Sequence, residues 1–260
     1  MRVALGIEYD GSAFHGWQAQ QEGVRTVQTA LETALAKVAN HPLRVVCAGR
    51  TDTGVHALGQ VVHFDTQAQR SERNWLLGTN VNLPHDVSVT WARPVDKTFS
   101  ARFSAVSRRY RYFILNRTSR SAVLAGRVTW THRPLDAVAM QEAARALVGE
   151  HDFSSYRALG CQAKSPVRTL YELKVERQGE FVVISLHANA FLHHMVRNIA
   201  GVLMAIGRGD REVGWAAEVL GLRDRTLGGV TAPPDGLYFE TVEYPEAFGI
   251  PAVPHSGFPA

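Results

Sequence analysis

The chain has 260 residues, of which 45% are hydrophobic and 20% charged, so its composition is that of one large or two modest globular domains. No apolar run approaches the roughly 20 residues of a membrane-spanning helix, and the first ten residues acquire charge too early for a secretory signal peptide. The two cysteines, Cys47 and Cys161, match no zinc or redox spacing, so we expect a reduced cytoplasmic protein with two structural thiols.

The formal net charge is only +4, but the basic residues are mostly of one type, because 24 of the 28 are arginines and four are lysines. Arginine offers a planar fork for phosphate groups and a flat face that stacks on bases, which lysine lacks. A GC-rich genome also enriches arginine, so composition alone leaves nucleic-acid binding open.

The first half of the chain is predicted to follow the order β-α-β-β-α-β, the split arrangement of ferredoxin-like folds. Thr26 is a suitable cap for a helix with an apolar stripe of Val27, Leu31 and Leu35, and Asn40 ends that helix. The predicted elements, in chain order, are strand 3–9, the helix after Thr26, strand 43–47, strand 60–65, a helix that Ser71 caps, and strand 87–95.

The second half repeats this alternation with additional elements. Val138, Ala144 and Leu147 are expected to face inward from its first helix. Two such halves predict an α+β protein with a duplicated architecture and a groove between the halves. A tail from Pro245 onward carries four prolines and is predicted to be loose or to lie on the surface. The predicted elements are strand 108–116, helix 134–147, a hairpin of strands 170–176 and 181–187, helices 193–206 and 211–220, and strand 237–243.

Asp52 lies in the triplet Asp-Thr-Gly, in which aspartic proteases hold their catalytic carboxylate. A single-chain enzyme of that class needs two such triplets, and this chain has one. The protease dyad also depends on two carboxylates that share a proton, whereas the nearby Arg50 favours an ionised Asp52. The sequence therefore argues against a protease.

Two other interpretations of Asp52 remain open. Asp before Thr-Gly is ordinary turn chemistry, so the carboxylate could simply organise a loop. However, Gly49, Arg50, Asp52, Gly54 and His56 all fall within eight residues between two predicted strands. Glycines together with charged and titratable residues in so short a loop are typical of an active-site loop on a rigid scaffold.

A second signal is a basic segment in the middle of the chain. Residues 97–135 include nine lysines and arginines and no acidic residue, with aromatic residues between them. Cations along a backbone path and rings that can stack on unpaired bases are typical of RNA binding. Tyr110 and Tyr112 share one face of the predicted strand, and Arg109 and Arg111 share the other. The structural alternative is a half-buried strand with core tyrosines and solvated arginines.

A third signal lies in residues 189–198, which contain the adjacent histidines His193 and His194. Neighbours on a helix point about 100° apart and rarely bind one ion together, and no flanking carboxylate or H-x-x-x-H pair completes a site. The sequence therefore argues against a metal site. Arg197 lies four residues after His193, so the two are expected to share one helix face and point toward the same groove.

Together, these stretches resemble the tRNA pseudouridine synthase A family, which isomerises uridines at positions 38 to 40 of the tRNA anticodon stem-loop. The resemblance covers about residues 1–245. It is carried by Tyr9-Asp10-Gly11 and Gly16-Trp17-Gln18, by residues 49–57, 104–112, 189–191 and 193–198, by Asp224-Arg225-Thr226 and by Gly236-Leu237-Tyr238.

The resemblance implies an α+β pseudouridine synthase fold, in which two ferredoxin-like halves share a mostly antiparallel sheet around a central basic cleft. The N-terminal half, which carries the Asp52 loop, would span residues 1–103. An elaborated C-terminal half would span residues 104–245, and a tail residues 246–260. The resemblance also implies a homodimer that acts on tRNA without a membrane, a metal or any cofactor.

The resemblance further assigns roles by position. Asp52 would be the catalytic aspartate and nucleophile, Arg197 the cation that pairs with it, and Arg50 a member of the same motif. The ring of Tyr110 would stack on the target base. The other residues expected to bind the substrate are Arg108, Arg109, Arg111, His193 and Leu237.

Two alternative functions remain open. A non-catalytic RNA-binding module would use the arginines of strand 108–116 for affinity and would not need Asp52. A metal-dependent hydrolase would use His193, His194 and Asp52 as ligands.

Overall fold

The computed structural model of the chain describes residues 1–252. These residues form two compact units. The first unit comprises Met1–Val106 and the segment from Phe239 onward, and the second comprises Ser107–Tyr238. The domain limits that the sequence suggested, at residues 103 and 245, remain predictions.

The first unit has the predicted β-α-β-β-α-β order. Strands β1 to β4 of this unit pair in the antiparallel sense and lie in the order β4-β1-β3-β2, the order of a ferredoxin-like sheet. The elements are β1 (Arg2–Tyr9), α1 (Val27–Ala39), β2 (Val46–Cys47), β3 (His56–Asp65), α2 (Glu72–Asn82) and β4 (Val87–Val95).

Helix α1 begins and ends where its sequence predicts. Thr26 has an extended backbone, and its hydroxyl accepts a hydrogen bond from the Thr29 amide at 3.3 Å, which satisfies one of the amides without a partner in the first turn. Leu31 and Leu35 are completely buried one turn apart. Asn40 ends the helix in the left-handed conformation, with φ of 59°.

The second unit contains the other helices and a second antiparallel ladder in the order β5-β9-β8-β7, with the short β6 parallel to β5. The predicted α+β class with mostly antiparallel pairing is therefore confirmed. The elements are β5 (Ser107–Asn116), β6 (Thr129–Thr131), α3 (Ala137–Ala144), β7 (Gly149–Asp152), β8 (Val167–Gln178), β9 (Phe181–Ala188), α4 (Met195–Gly207) and α5 (Trp215–Leu222). Strand β10 (Leu237–Glu243) contains the boundary between the units.

Three predictions about the helices of the second unit are wrong. The helix predicted at residues 211–220 is α5, which spans Trp215–Leu222. Helix α4 starts at Met195 and not at residue 193, because His194 has a left-handed backbone with φ of 62°, which a right-handed helix cannot include. Val138 is 79% exposed, because α3 turns Met140, Ala143 and Ala144 inward, and Val138 lies about 200° around the helix from Met140.

Three further observations concern predictions about the whole chain. No helix within residues 1–252 is both long and apolar enough to cross a membrane. Cys47 and Cys161 are free thiols. Of the predicted tail, Phe248 packs its ring against the buried Phe99 with centroids 5.2 Å apart, and residues 253–260 lie outside the described part of the chain.

The cap of α1 yields a prediction about stability. Thr26→Ala removes the hydroxyl acceptor from a site that is only 1% exposed, so the free energy of unfolding in urea should fall by about 1 kcal/mol. Thr33→Ala is the matched control, because Thr33 is exposed in the middle of the same helix, where alanine is the better helix former. An equal loss in both variants would contradict the role of the cap.

Candidate active site

The loop that carries Asp52 connects β2 to β3 and is fixed at its start. The Ala48 amide donates to the Val61 carbonyl at 2.8 Å. The carboxamide of the fully buried Gln60 then binds both backbone groups of Gly49, accepting from its amide at 3.3 Å and donating to its carbonyl at 2.6 Å. The chain therefore enters the loop in one defined conformation.

Residues 9–17, which we call the brace, hold the loop on both sides of Asp52. The Tyr9 and Thr51 hydroxyls share a hydrogen bond of 2.7 Å, and the Trp17 amide donates to the Thr51 carbonyl at 3.0 Å. On the other side of Asp52, the Gly54 amide donates to the Phe14 carbonyl at 3.4 Å. Burial raises the pKa of the Tyr9 phenol, so this hydroxyl keeps its proton.

Two glycines of the brace allow its close approach to the loop. A Cβ atom on Gly11 would lie 1.9 Å from the Val55 carbonyl oxygen, and one on Gly16 would lie 2.9 Å from the Thr51 carbonyl oxygen. Gly16 also has φ of 84°, which side-chain-bearing residues rarely adopt. The glycines of the Tyr-Asp-Gly and Gly-Trp-Gln motifs are thus explained by backbone contact with the Asp52 loop.

His56 closes the other end of the loop. Its side chain is 2% exposed, and its Nδ1 accepts a hydrogen bond from the Gly11 amide at 3.0 Å. The same nitrogen lies 3.2 Å from a carboxylate oxygen of Asp10. A ring nitrogen that carries a proton cannot accept a hydrogen bond. The contact with the Gly11 amide therefore belongs to the form of His56 in which Nδ1 is unprotonated.

Asp52 itself is half-buried, whereas Arg50 is exposed. Burial raises the pKa of the neighbouring Cys47 thiol to about 12, and the positive charges of Arg50 and Arg102 act in the opposite direction. The thiol therefore stays protonated at neutral pH, as a structural cysteine would. Both arginines are close enough to Cys47 to act on it electrostatically.

In the second unit, the two tyrosines of β5 are buried on the same face but have different surroundings. Tyr112 is completely buried, with its hydroxyl bound to Thr129 and to the Pro233 carbonyl. Tyr110 is 9% exposed and meets the ring of Phe191 edge to face, with centroids 4.9 Å apart. Tyr112 is therefore a core residue, as the structural alternative predicted for both.

The arginines of β5 have partners within the unit. A guanidinium nitrogen of Arg108 donates to the Asn189 carbonyl at 2.9 Å, and Arg109 forms a 3.2 Å ion pair with Glu172. The guanidinium group of Arg111 lies 5.4 Å from the centroid of the Phe113 ring. All three arginines are half-buried.

Arg197 lies in the first turn of α4 and is bound to the loop that precedes β10. Its Nε donates to the Ala232 carbonyl at 2.9 Å, and its own carbonyl accepts from the Ala232 amide at 3.0 Å. Arg197 is thus bound to one residue twice, once through its side chain and once through its backbone. Leu237, a further predicted substrate-binding residue, is 5% exposed at the start of β10.

Asn198, next to Arg197, holds the same loop from inside the protein. It is 1% exposed, and its amide donates to the Tyr156 carbonyl at 2.7 Å. Its carbonyl oxygen accepts from Arg225 at 3.1 Å and from Thr231 at 2.7 Å. Asn198 and Arg225 belong to two separate motifs of the family resemblance, and no local pattern in the sequence predicts this network.

The two histidines before α4 lie in a turn. Their rings are 4.1 Å apart, and the His193 carbonyl accepts from the Ala158 amide at 2.8 Å. The prediction that His193 and Arg197 share a helix face is wrong, because the helix begins only after His193.

A family model described as tRNA pseudouridine synthase matches residues 6–104 and 143–245. The chain belongs to this family. The matched segments include five of the predicted site residues, namely Arg50, Asp52, His193, Arg197 and Leu237. Strand β5, which carries Tyr110, lies between the two segments.

Relatives in the tRNA pseudouridine synthase family match nearly the full chain. The tRNA pseudouridine synthase A of Alcanivorax borkumensis is 60% identical over 97% of this chain and 95% of its own. The enzyme of the same name from Nitrosococcus oceani is 61% identical over 96% of both chains, and that of Pseudomonas aeruginosa is 60% identical over 96% of this chain and 88% of its own. The predicted family and enzyme class, a pseudouridine-forming isomerase, are confirmed.

The contact between the brace and the loop yields a second prediction. Gly16→Ala adds a methyl group 2.9 Å from the Thr51 carbonyl and should displace the Asp52 loop, lowering kcat by up to about 100-fold. Gly23→Ala is the matched control, because Gly23 has nearly the same φ, 87°, but no atom within 4 Å of the added Cβ.

Both variants should lose about 1–2 kcal/mol of stability from the left-handed backbone, and Gly16→Ala should lose more because of its contact with the Thr51 carbonyl. Only Gly16→Ala should have a lower kcat than the wild type, when kcat is measured under conditions in which both variants are folded. Similar kcat values for the two variants, measured on tRNA, would show that the loop does not depend on the brace.

Proposed function

We propose that this enzyme converts uridine to pseudouridine at positions 38–40 in the anticodon stem-loop of tRNA. The observation that carries the proposal is the half-buried Asp52 on a loop whose flanking residues are bound by the brace. The names of relatives at about 60% identity support tRNA as the substrate. The three positions follow from the family resemblance.

The proposed reaction rearranges one nucleoside. The N1–C1′ bond breaks, the uracil turns, C5 bonds to C1′, the proton on C5 is released to solvent, and N1 takes up a proton in its place. We infer that Asp52 is the nucleophile, which attacks C1′ or the base and leaves again when the new bond is complete. Nothing is oxidised, reduced or transferred to another molecule, so the steps balance without a co-reactant.

Asp52 must be ionised to act in this way. We infer that Arg197 pairs with it and that Arg50 adds a second positive charge, which together favour the carboxylate and orient it. The guanidinium group of Arg197 has five N–H donors, and the one on Nε is used on the Ala232 carbonyl. That bond would hold the group at a fixed angle toward its partner.

The target uridine lies in a base-paired stem and must leave its stack, at a cost of a few kcal/mol. We infer that Tyr110 stacks on the everted base and recovers about 1–3 kcal/mol of this cost. The edge-to-face contact with Phe191 supports this role, because it fixes the plane of the Tyr110 ring.

The remaining expectations belong to the same proposal. Arg108, Arg109 and Arg111 would bind the phosphates of the stem-loop, with Arg109 exchanging Glu172 for a phosphate. His193 and Leu237 would contact the substrate. A homodimer and the lack of a cofactor rest on the family resemblance. A cytoplasmic location rests on the resemblance and on the two free thiols.

Removal of the carboxylate charge is the direct test. Asp52→Asn and Asp52→Ala should lower the rate of tritium release from tRNA labelled at uridine C5 by at least about 10³-fold. Binding of tRNA should change little. Asp65→Asn is the matched control, because Asp65 is an exposed carboxylate of the same unit, paired with Arg2, and its loss should leave turnover unchanged.

Mapping of pseudouridine in the treated tRNA separates the alternatives. The wild type should modify positions 38, 39 or 40, and Asp52→Ala should modify none. A non-catalytic RNA-binding module would bind tRNA without forming pseudouridine. Near-normal turnover in Asp52→Asn would overturn the assignment of the nucleophile, and modification elsewhere would overturn the assigned positions.

A further inference from the structure

Phe103 is an exposed aromatic residue that the proposed mechanism does not use. Its side chain is 80% exposed, whereas every other phenylalanine within residues 1–252 is buried or half-buried. An exposed phenylalanine can occur singly on any surface. The surroundings of Phe103 therefore decide whether its exposure has a function.

The turn that carries Phe103 is held rigidly. Ser100 and Ser104 bind each other twice, through the Ser100 amide to the Ser104 hydroxyl at 2.9 Å and through the Ser104 amide to the Ser100 carbonyl at 2.9 Å. The Phe103 amide donates to the Ser100 hydroxyl at 3.3 Å. The ring is thus presented to solvent by a fixed backbone.

The same turn is anchored in the core on the other side. Ala101 is completely buried, its amide donates to Nδ1 of His63 at 3.0 Å, and its carbonyl accepts from the Tyr244 hydroxyl at 2.6 Å. Phe99, also completely buried, packs against Tyr244 and His63. Phe99 and Ala101 are therefore part of the core, whereas Phe103 in the same short segment points to solvent.

The surroundings of Phe103 are cationic. The exposed guanidinium group of Arg102 lies 5.2 Å from the centroid of the Phe103 ring. Arg102 and Arg50 both act electrostatically on Cys47, so the turn and the Asp52 loop place positive charge around the same thiol. The segment 97–135, which begins at this turn, has no acidic residue.

A rigid, exposed ring beside the guanidinium group of Arg102 fits a nucleobase and its phosphate better than an apolar protein partner. Every base has a flat face that stacks on an aromatic ring, and the phosphate that follows it needs a cation. We propose that Phe103 stacks on an unpaired base of the substrate RNA while Arg102 binds the adjacent phosphate. This second base-stacking site is additional to that of Tyr110, and it rests on the proposed action on tRNA.

The test compares Phe103→Ala with Phe103→Trp in equilibrium binding of a tRNA transcript. Phe103→Ala should raise Kd and KM by about 5- to 100-fold and leave kcat at saturation nearly unchanged, because one stacked base is lost from binding and none from the chemistry. Phe103→Trp should bind at least as tightly as the wild type, and the fluorescence that its introduced indole adds should be quenched by the RNA.

Val81→Ala is the matched control, because Val81 is an 85% exposed apolar residue on α2 of the same unit. It should bind tRNA as the wild type does. The thermal midpoint of Phe103→Ala should also match that of the wild type, since the side chain packs little. Wild-type Kd in Phe103→Ala would overturn the inference.

Sedimentation of the protein without RNA tests the alternative that Phe103 lies in a contact between two copies of the chain. If Phe103→Ala dissociates an oligomer and its loss of RNA affinity follows that dissociation, the ring is a protein contact and the inference is wrong. The proposed function fails separately: a wild type that forms no pseudouridine contradicts the function, whereas normal turnover with unaltered RNA binding by Phe103→Ala contradicts only the stacking site.

Discussion

Thr51, the residue before Asp52, is bound at both its hydroxyl and its carbonyl by the brace, and the rest of the site in the first unit depends on this contact. A loop between two strands is ordinarily among the mobile parts of a protein. Here Tyr9 is 4% and Thr51 7% exposed, so their shared hydrogen bond is shielded from water, and breaking it would leave a buried polar group unpaired. The backbone on both sides of Asp52 is therefore positioned by the first strand and the turn that follows it, which is the preorganisation that the proposed nucleophile requires.

The second unit supports its candidate residue in the same way. Arg197 is bound at its side chain and backbone to Ala232, and the loop that contains Ala232 is held from inside by Asn198 through Arg225 and Thr231. This network around the buried Asn198 restrains the loop, because Arg225 and Thr231 each lose a partner if either of them moves. In both units the proposed catalytic side chain is thus supported by residues distant in the sequence, and the chemistry would rely on buried neighbours that never touch the substrate.

Local patterns in the sequence were sufficient for much of the fold. The strand at residues 3–9 and the cap and apolar stripe of α1 each depend on residues within one element, and the structure confirms both elements. The start of α4 was mispredicted because an apolar run does not reveal that His194 adopts a left-handed backbone, which histidine tolerates better than most residues. The contact between the brace and the Asp52 loop could not be predicted, because Tyr9 and Thr51 are 42 positions apart in the sequence. Only the two glycines of the brace, Gly11 and Gly16, indicate that another segment approaches closely.

The most direct test of the brace is a double-mutant cycle on kcat with Tyr9→Phe and Thr51→Val. Each change alone should lower kcat by about 5- to 30-fold, the equivalent of one buried hydrogen bond. The double variant should be no worse than Tyr9→Phe alone, because Tyr9→Phe has already removed the bond that Thr51→Val removes. KM for tRNA should not change in these variants, and Thr51→Ser, which keeps the hydroxyl, should have the kcat of the wild type. Tyr244→Phe is the control: it removes a similar bond, to the Ala101 carbonyl, and should have no effect on kcat. Additive losses in the double variant, or losses in KM alone, would contradict the account.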